Sequence, residues 1–191
     1  MKNFELNIRK RISEAIENSD IENETFEFFW ETSSPFSQWH KCSFNALPIL
    51  KSDKFNTRIH FTSAEQFMML HKALLFNDTQ TATMIMKTSN VREQKRLGRM
   101  VSNFNDEVWN AHRVGIVYEG NKHKFIENEK LLSSLSETKG KTLVEASPDD
   151  QIWGIGLFQD DSRAYHRESW LGTNFLGDVL TALRIELTGK Y

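Results

Sequence analysis

Residues 62–77, TSAEQFMMLHKALLFN, join a helix start to a long apolar face, and the helical pattern that they begin continues to residue 137. Thr62 and Glu65 have the Thr-x-x-Glu spacing of a capping box, in which the glutamate returns a hydrogen bond to the helix start. Four more helical segments follow, with breaks at good cap or turn residues: Asn77-Asp78, Ser89-Asn90, Asn103–Asn105 and Gly120-Asn121. This stretch predicts a helical core.

The segments on either side of this core predict a small β element and two outer helices. Residues 4–18 have apolar side chains at helical spacing, and so does a closing helix at about 174–188. Short aromatic, β-prone pieces between 26 and 61 predict a small antiparallel sheet, and KTLVEA at 141–146 a short strand. We expect a mainly α-helical α+β fold, with an amphipathic N-terminal helix in 1–22 and a single domain in 23–191.

Composition limits the classes of protein that fit this chain. Its 191 residues, 39% of them hydrophobic, suit one globular domain with a substantial core. Lys and Arg total 24 against 26 Asp and Glu, so the whole surface has no positive field for nucleic acid. Any DNA contact must therefore come from a local patch.

The single cysteine and the absence of long apolar runs predict a soluble, cytoplasmic protein. Cys42 has no partner for an intramolecular disulfide, which favours a reducing compartment. The first 18 residues alternate charged and apolar side chains, unlike a secretory signal, and no apolar run is long enough to span a bilayer.

Glu65 and Lys72 are seven residues apart, two turns along one helix face. A carboxylate and an amine on one face suit proton transfer or covalent imine chemistry. The alternative for Glu65 is the structural capping role. Composition and spacing leave both open.

A second cluster of candidate residues is basic, and its cations stand close together in one predicted helix: Arg92, Lys95, Arg96 and Arg99. Guanidinium groups bind phosphate oxygens in a bidentate manner, and Gly98 allows a close approach to the backbone. A solvated helix face explains the same charges, with Glu93 diluting them. The sequence does not decide between these two interpretations.

The loop that follows the predicted strand carries three carboxylates and a tryptophan beside glycine. Glu145, Asp149 and Asp150 precede Trp153 and Gly154. An indole in such a loop is a platform for stacking a base, and a nearby carboxylate can activate water or stabilise positive charge on a sugar. The alternative is a tryptophan that fills the core.

The closing helix begins at Gly172-Thr173-Asn174, where free backbone N–H groups can receive an anion or Thr173 or Asn174 can act as a plain cap. Asp178 stands where a phosphate loop needs Lys and Ser or Thr, and Gly154-x-Gly156 lacks the third glycine of a dinucleotide motif. The six histidines have no zinc-ligand spacing. We therefore predict no metal site and no cofactor.

The motifs together resemble the YbiA-like, or NADAR, family, and they occur in that family's order across residues 26–188. The matching blocks are Ser34–Trp39, Thr62–Met68 with Lys72-Ala73, Lys95–Arg99, Lys124-Phe125, Leu143–Pro148 with Asp150 and Trp153–Gly156, and Gly172–Asn174 with Leu176-Gly177. Asp149 departs from the family pattern, and the loop at 157–171 is lengthened. Residues 1–22 lie outside the resemblance.

The resemblance implies an N-glycosidase, a hydrolase that separates a phosphorylated ribose from the exocyclic amine of a base. Two substrates fit: ADP-ribosylated guanine in DNA, in which case a DarT-type toxin is the expected partner, or riboflavin biosynthesis intermediates that yield ribose 5-phosphate. The chief alternative is a non-catalytic module that binds ADP-ribose or a related nucleotide.

Carried over onto this sequence, the family's essential acid corresponds to Glu65 and its lysine to Lys72. Glu65 or Asp150 activates water in a direct route, whereas Lys72 forms a Schiff base in a ring-opened route, provided that its ammonium pKa is lowered. The expected substrate-binding residues are Trp39, Arg96, Gly98, Arg99, Trp153, Gly154 and Asn174.

Overall fold

A computed structural model of the protein describes residues 2–18 and 23–191, and in these ranges it contains seven α-helices and four β-strands. The elements in chain order are α1 Lys2–Glu17, β1 Phe26–Phe29, β2 Phe44–Ala46, β3 Ile59–Phe61, α2 Ala64–Leu75, α3 Thr79–Met86, α4 Val91–Arg99, α5 Asp106–Ile126, α6 Glu129–Glu137, β4 Thr142–Glu145 and α7 Phe175–Thr188. The predicted mainly helical α+β class is confirmed. The predicted boundary between the N-terminal helix and the domain falls after residue 22, and residues 19–22 lie outside the described residues.

The chain divides into two compact units, residues 38–131 and residues 2–37 with 132–191. In the first unit, α2 packs against α3, α4 and α5. Ten of its twelve residues are buried, which is typical of a helix at the centre of a core. Strands β2 and β3 pair antiparallel, and their Phe44 and Phe61 rings pack with Phe67 of α2.

The second unit is built from α1, β1, β4 and α7. Strand β1 pairs with β4 in parallel, with Phe26 opposite Thr142, and α7 packs against both β4 and α1. The prediction of one antiparallel sheet within 26–61 is therefore wrong for residues 26–29. Their partner strand lies far along the chain, so no local turn signal marks the pairing.

Gly120 lies inside helix α5, and not at the break that its turn chemistry predicted. A β-carbon at this position stands 2.7 Å from Cδ1 of Phe67, so glycine allows α5 to approach α2 closely. The break before α6 occurs instead at Glu127 and Asn128. The glycine at this position serves packing between helices.

Within residues 2–18 and 23–191, none of the helices combines the length and the apolar character needed to cross a lipid bilayer.

Candidate active site

Helix α2 begins with a capping box displaced by one residue from the predicted one. The hydroxyl of Ser63 accepts the backbone N–H of Gln66 at 3.0 Å, and the side-chain oxygen of Gln66 accepts the backbone N–H of Thr62 at 2.8 Å. The predicted Thr62–Glu65 capping box is therefore wrong. Because Gln66 performs the capping function, Glu65 does not have the capping role that the sequence allowed.

Glu65 occupies the first turn of α2 and is buried, with 5% of its surface exposed. Its backbone N–H donates to the carbonyl of Gln38 at 3.0 Å, and the Gln38 side-chain oxygen accepts from Nδ2 of Asn121 at 2.9 Å. Gln38 and Asn121 are buried as well. This brace fixes the backbone that carries Glu65. No sequence motif marks this brace, because its members come from three separate segments.

Lys72 lies two turns along α2 from Glu65, on the same face, and is half-buried in an aromatic environment. Its ammonium lies 4.2 Å from the centroid of Phe104 and 5.6 Å from that of Trp109. Burial lowers the pKa of Lys72 from its ordinary value of 10.5, and this effect outweighs the opposite influence of the Asp106 and Glu65 carboxylates. The pKa of Lys72 is therefore shifted in the direction that imine chemistry requires.

The basic helix α4 displays Arg96 and Arg99 at an exposed surface. Arg96 makes a two-pronged ion pair with Glu93, at 2.8 and 2.7 Å, which occupies its Nε and one Nη2 donor. The positive charge of Arg99 contributes to lowering the pKa of Lys72. Of these two cations, Arg99 therefore has the electrostatic link to Lys72.

Two other predicted binding residues of this unit have different surroundings. The ammonium of Lys95 lies 5.3 Å from the Trp39 ring centroid, so Trp39 belongs to the basic cluster through a cation–π contact. Gly98 is buried, and a β-carbon there overlaps the Met69 sulfur. The close approach expected at Gly98 is made by Met69, so packing explains this glycine, and its contact with substrate stays a prediction.

In the second unit, Asp150 organises the tryptophan loop. Its Oδ1 accepts the backbone N–H groups of Ile152 at 2.9 Å and Trp153 at 2.8 Å. Trp153 is half-buried and meets Phe175 edge to face at 6.3 Å. Gly154 is buried where a β-carbon stands 2.7 Å from the Glu145 carbonyl oxygen. These contacts give Asp150 and Gly154 structural roles in holding Trp153.

Asn174 connects this loop and β4 to the start of α7. The residue is fully buried, its Oδ1 accepts the Glu145 N–H, and its Nδ2 donates to the carbonyl of Leu143, both at 3.0 Å. The backbone N–H groups of residues 174, 175 and 176 donate to carbonyls of residues 154, 152 and 153. The expectation that Asn174 opens a helix start with free amides for an anion is therefore wrong.

Within each unit, some of the predicted site residues interact with one another. In residues 38–131, Glu65, Lys72 and Arg99 interact electrostatically, and Trp39 joins the basic helix through Lys95. In the other unit, hydrogen bonds tie Asp150, Trp153, Gly154 and Asn174 together. A buried carboxylate and an amine of lowered pKa on one helix face can together transfer protons and form an imine.

Comparison with known proteins connects this geometry to a family. A family model described as the NADAR domain matches residues 28–188. An N-glycosidase of Acanthamoeba polyphaga mimivirus is 45% identical over 151 residues, which cover 79% of this chain and 86% of that protein. The protein irg-1 of Caenorhabditis elegans is 37% identical over 175 residues, covering 88% and 82%.

More distant similarities concern one longer protein and one solved structure. The chloroplastic riboflavin biosynthesis protein PYRR of Zea mays is 28% identical over 182 residues, but the chain spans only 27% of that protein. The NMR structure of the E. coli protein YbiA superposes with a TM-score of 0.65 at 23% identity, covering 91% of this chain and 90% of that one. The YbiA similarity supports the fold.

Proposed function

The chain belongs to the NADAR domain family, and we propose that it is an N-glycosidase that hydrolyses the bond between a phosphorylated ribose and the exocyclic amine of a base. The mimivirus relative named as an N-glycosidase supports the reaction class. The observation that carries the proposal is that buried Glu65 and half-buried Lys72 lie two turns apart on one face of α2, with the pKa of Lys72 lowered by burial.

In the route that we favour, Lys72 reacts covalently with the sugar. The ribosylamine ring opens when the bond from C1 to the ring oxygen breaks. The ring oxygen gains a proton and the amine nitrogen loses one, which leaves a neutral imine between C1 and the base nitrogen. The neutral Lys72 amine adds to C1, and the base amine departs with a proton supplied by Glu65. A protonated Schiff base between Lys72 and the sugar remains.

Water completes this route and regenerates the enzyme. It adds to C1 of the Schiff base and gives up a proton to Glu65, and the bond between C1 and the Lys72 nitrogen then breaks. One water is consumed, and the products are the free base amine and the phosphorylated sugar. In the alternative direct route, Glu65 or Asp150 activates water against an oxocarbenium-like transition state. The lowered pKa of Lys72 favours the covalent route.

Two substrates share the required chemistry, and different observations favour each. Similarity to the riboflavin biosynthesis protein of Zea mays supports a free ribosylamine phosphate of that pathway. The exposed cations of α4, Arg96 and Arg99, support ADP-ribosylated guanine in DNA, since a base turned out of the stack needs only a local basic surface. A DarT-type toxin is the expected partner in the second case only.

The test is to incubate the full chain, at a concentration equal to that of substrate, with ADP-ribosylated guanine DNA and separately with a riboflavin-pathway ribosylamine phosphate. Mass spectrometry then detects the released sugar phosphate. We expect release from one of the two by the wild type and none by Glu65→Gln. Calorimetric binding without product from either substrate identifies a non-catalytic nucleotide-binding module and overturns the proposal.

A further inference from the structure

A cavity of about 620 Å³ lies within the second unit, where α1 faces the segment before α7. Its lining includes Arg9, Ile12, Glu24, Arg167, Trp170 and Asp178. None of these residues has a role in the glycosidic chemistry proposed above. Arg9, Ile12 and Glu24 also precede residue 28, where the family match begins. The volume of the cavity is typical of a site for a small organic molecule.

The charged groups of this cavity differ in how deeply they are buried. Arg9 bonds to Oδ2 of Asp178 at 3.2 Å, and Arg167 lies 3.7 Å from Oδ1 of the same carboxylate. The side chain of Asp178 is 4% exposed, whereas those of Arg9 and Arg167 are 51% and 41% exposed. The Asp178 carboxylate therefore lies behind the two guanidinium groups. The Glu24 carboxylate, with 21% of its side chain exposed, pairs with Nε and Nη2 of Arg167, so a ligand meets the remaining N–H donors of the two arginines.

Both guanidinium groups are held in place before any ligand arrives. Arg167 donates to both oxygens of Glu24, at 3.1 and 2.6 Å, and its guanidinium carbon lies 4.7 Å from the Trp170 ring centroid. Arg9 donates through Nε to Asp178 and through Nη2 to the Thr173 carbonyl. Each guanidinium has five N–H donors, and these bonds do not use all of them. Fixed donors of this kind lose little entropy on binding.

We propose that this cavity is a second ligand site, which binds a phosphate monoester of sugar-phosphate or nucleotide size. Two fixed, partly exposed guanidinium groups match the oxygens of a phosphate dianion. The volume exceeds what inorganic phosphate needs, and Ile12 and Trp170 provide apolar surface for the organic part. Because Arg9 comes from α1 and Arg167 from the loop before α7, the ligand holds α1 to its unit. The inference does not depend on the glycosidase activity.

Calorimetric titration of the full chain with ribose 5-phosphate, AMP and inorganic phosphate tests the site. We expect at least one ester to bind, and its binding to weaken about 10- to 100-fold in Arg167→Gln and in Arg9→Gln. The tighter ester identifies the ligand as a sugar phosphate or a nucleotide. Arg163→Gln is the matched control, since Arg163 is an exposed arginine paired with Asp161 that does not line the cavity.

Glu65→Gln distinguishes this site from the catalytic one. Ester binding that Arg167→Gln weakens should remain unchanged in the Glu65→Gln variant. Arg167→Lys keeps the charge without the fork of donors and should bind with intermediate affinity, and circular dichroism checks that each variant is folded. Three results overturn the proposal: no ester binding at millimolar concentration, equal effects of Arg163→Gln and Arg167→Gln, or inorganic phosphate binding as tightly as both esters.

Discussion

The ammonium of Lys72 lies 4.2 Å from the centroid of the Phe104 ring, so an aromatic face replaces part of the water that normally surrounds a lysine. Burial is the largest influence on the pKa of Lys72 and lowers it, although the Asp106 and Glu65 carboxylates act in the opposite direction. A larger neutral fraction at a given pH follows, and only the neutral amine is a nucleophile.

The pH dependence of the covalent step follows from this shift. The neutral fraction of Lys72 rises with pH through its pKa in the folded protein, which is below 10.5. We expect the single-turnover rate of adduct formation to rise with pH and to reach its plateau below pH 10.5. Rapid quench with borohydride at each pH measures it. A rate that still climbs as for an ordinary lysine contradicts the assignment.

Asp106→Asn should move this profile in a defined direction. The Asp106 carboxylate raises the pKa of Lys72, so its removal lowers that pKa further and shifts the rising limb to lower pH. Glu107→Gln is the matched control, because Glu107 is an exposed carboxylate in the same helical turn and is not among the groups that shift Lys72. If the rising limb of the pH–rate profile does not shift in Asp106→Asn, Lys72 is not the titrating group.

Glu65→Gln should lower turnover by about 10²- to 10⁴-fold, since the amide keeps the shape of the side chain but cannot transfer protons. Glu129→Gln, which changes an exposed glutamate of α6, should retain wild-type turnover. Steady-state release of the sugar phosphate measures both variants. Full activity in Glu65→Gln removes this residue from the mechanism.

Substitution of Asn174 should act on stability. The side chain ties β4 to α7 through Leu143 and Glu145, and its backbone has φ of +53°. We expect Asn174→Gly, which tolerates this φ, to reduce the free energy of unfolding by roughly 2–4 kcal/mol through lost buried hydrogen bonds. Asn174→Ala should lose about 1 kcal/mol more. Urea unfolding followed by tryptophan fluorescence measures this, and an unchanged Asn174→Gly contradicts the structural role.

Gly98→Ala distinguishes packing from ligand binding. A methyl group at this position collides with Met69, so the variant should lose about 1–3 kcal/mol of stability. In a Met69→Ala background the same substitution should cost less, which a double-mutant cycle detects as coupling. If the Gly98→Ala variant has normal stability and a raised KM, Gly98 contacts the ligand after all.

The sequence predicts some of these features because they depend on local geometry. Glu65 and Lys72 lie on one helix, so their spacing alone places them on one face. The closing helix was predictable for the same reason, since its apolar residues repeat with helical period and are buried in α7.

Features that depend on distant partners were not predictable in this way. Gly98 and Gly120 look like a ligand contact and a turn, because the side chains that they accommodate, Met69 and Phe67, lie on another helix. In the sequence, the backbone N–H groups at the Asn174 helix start look free, because the carbonyls that accept their hydrogen bonds belong to a loop some twenty residues earlier. Sequence patterns reveal the chemistry of a residue, whereas its occupied hydrogen bonds depend on the tertiary fold.

Peptide mapping after borohydride reduction, with substrate present, tests the central claim most directly. We expect one stable sugar-phosphate adduct on the peptide that contains Lys72, absent from Lys72→Ala and unaffected by Lys87→Ala, which removes an exposed lysine. Full turnover by Lys72→Ala, with no adduct on any lysine of the wild type, contradicts it.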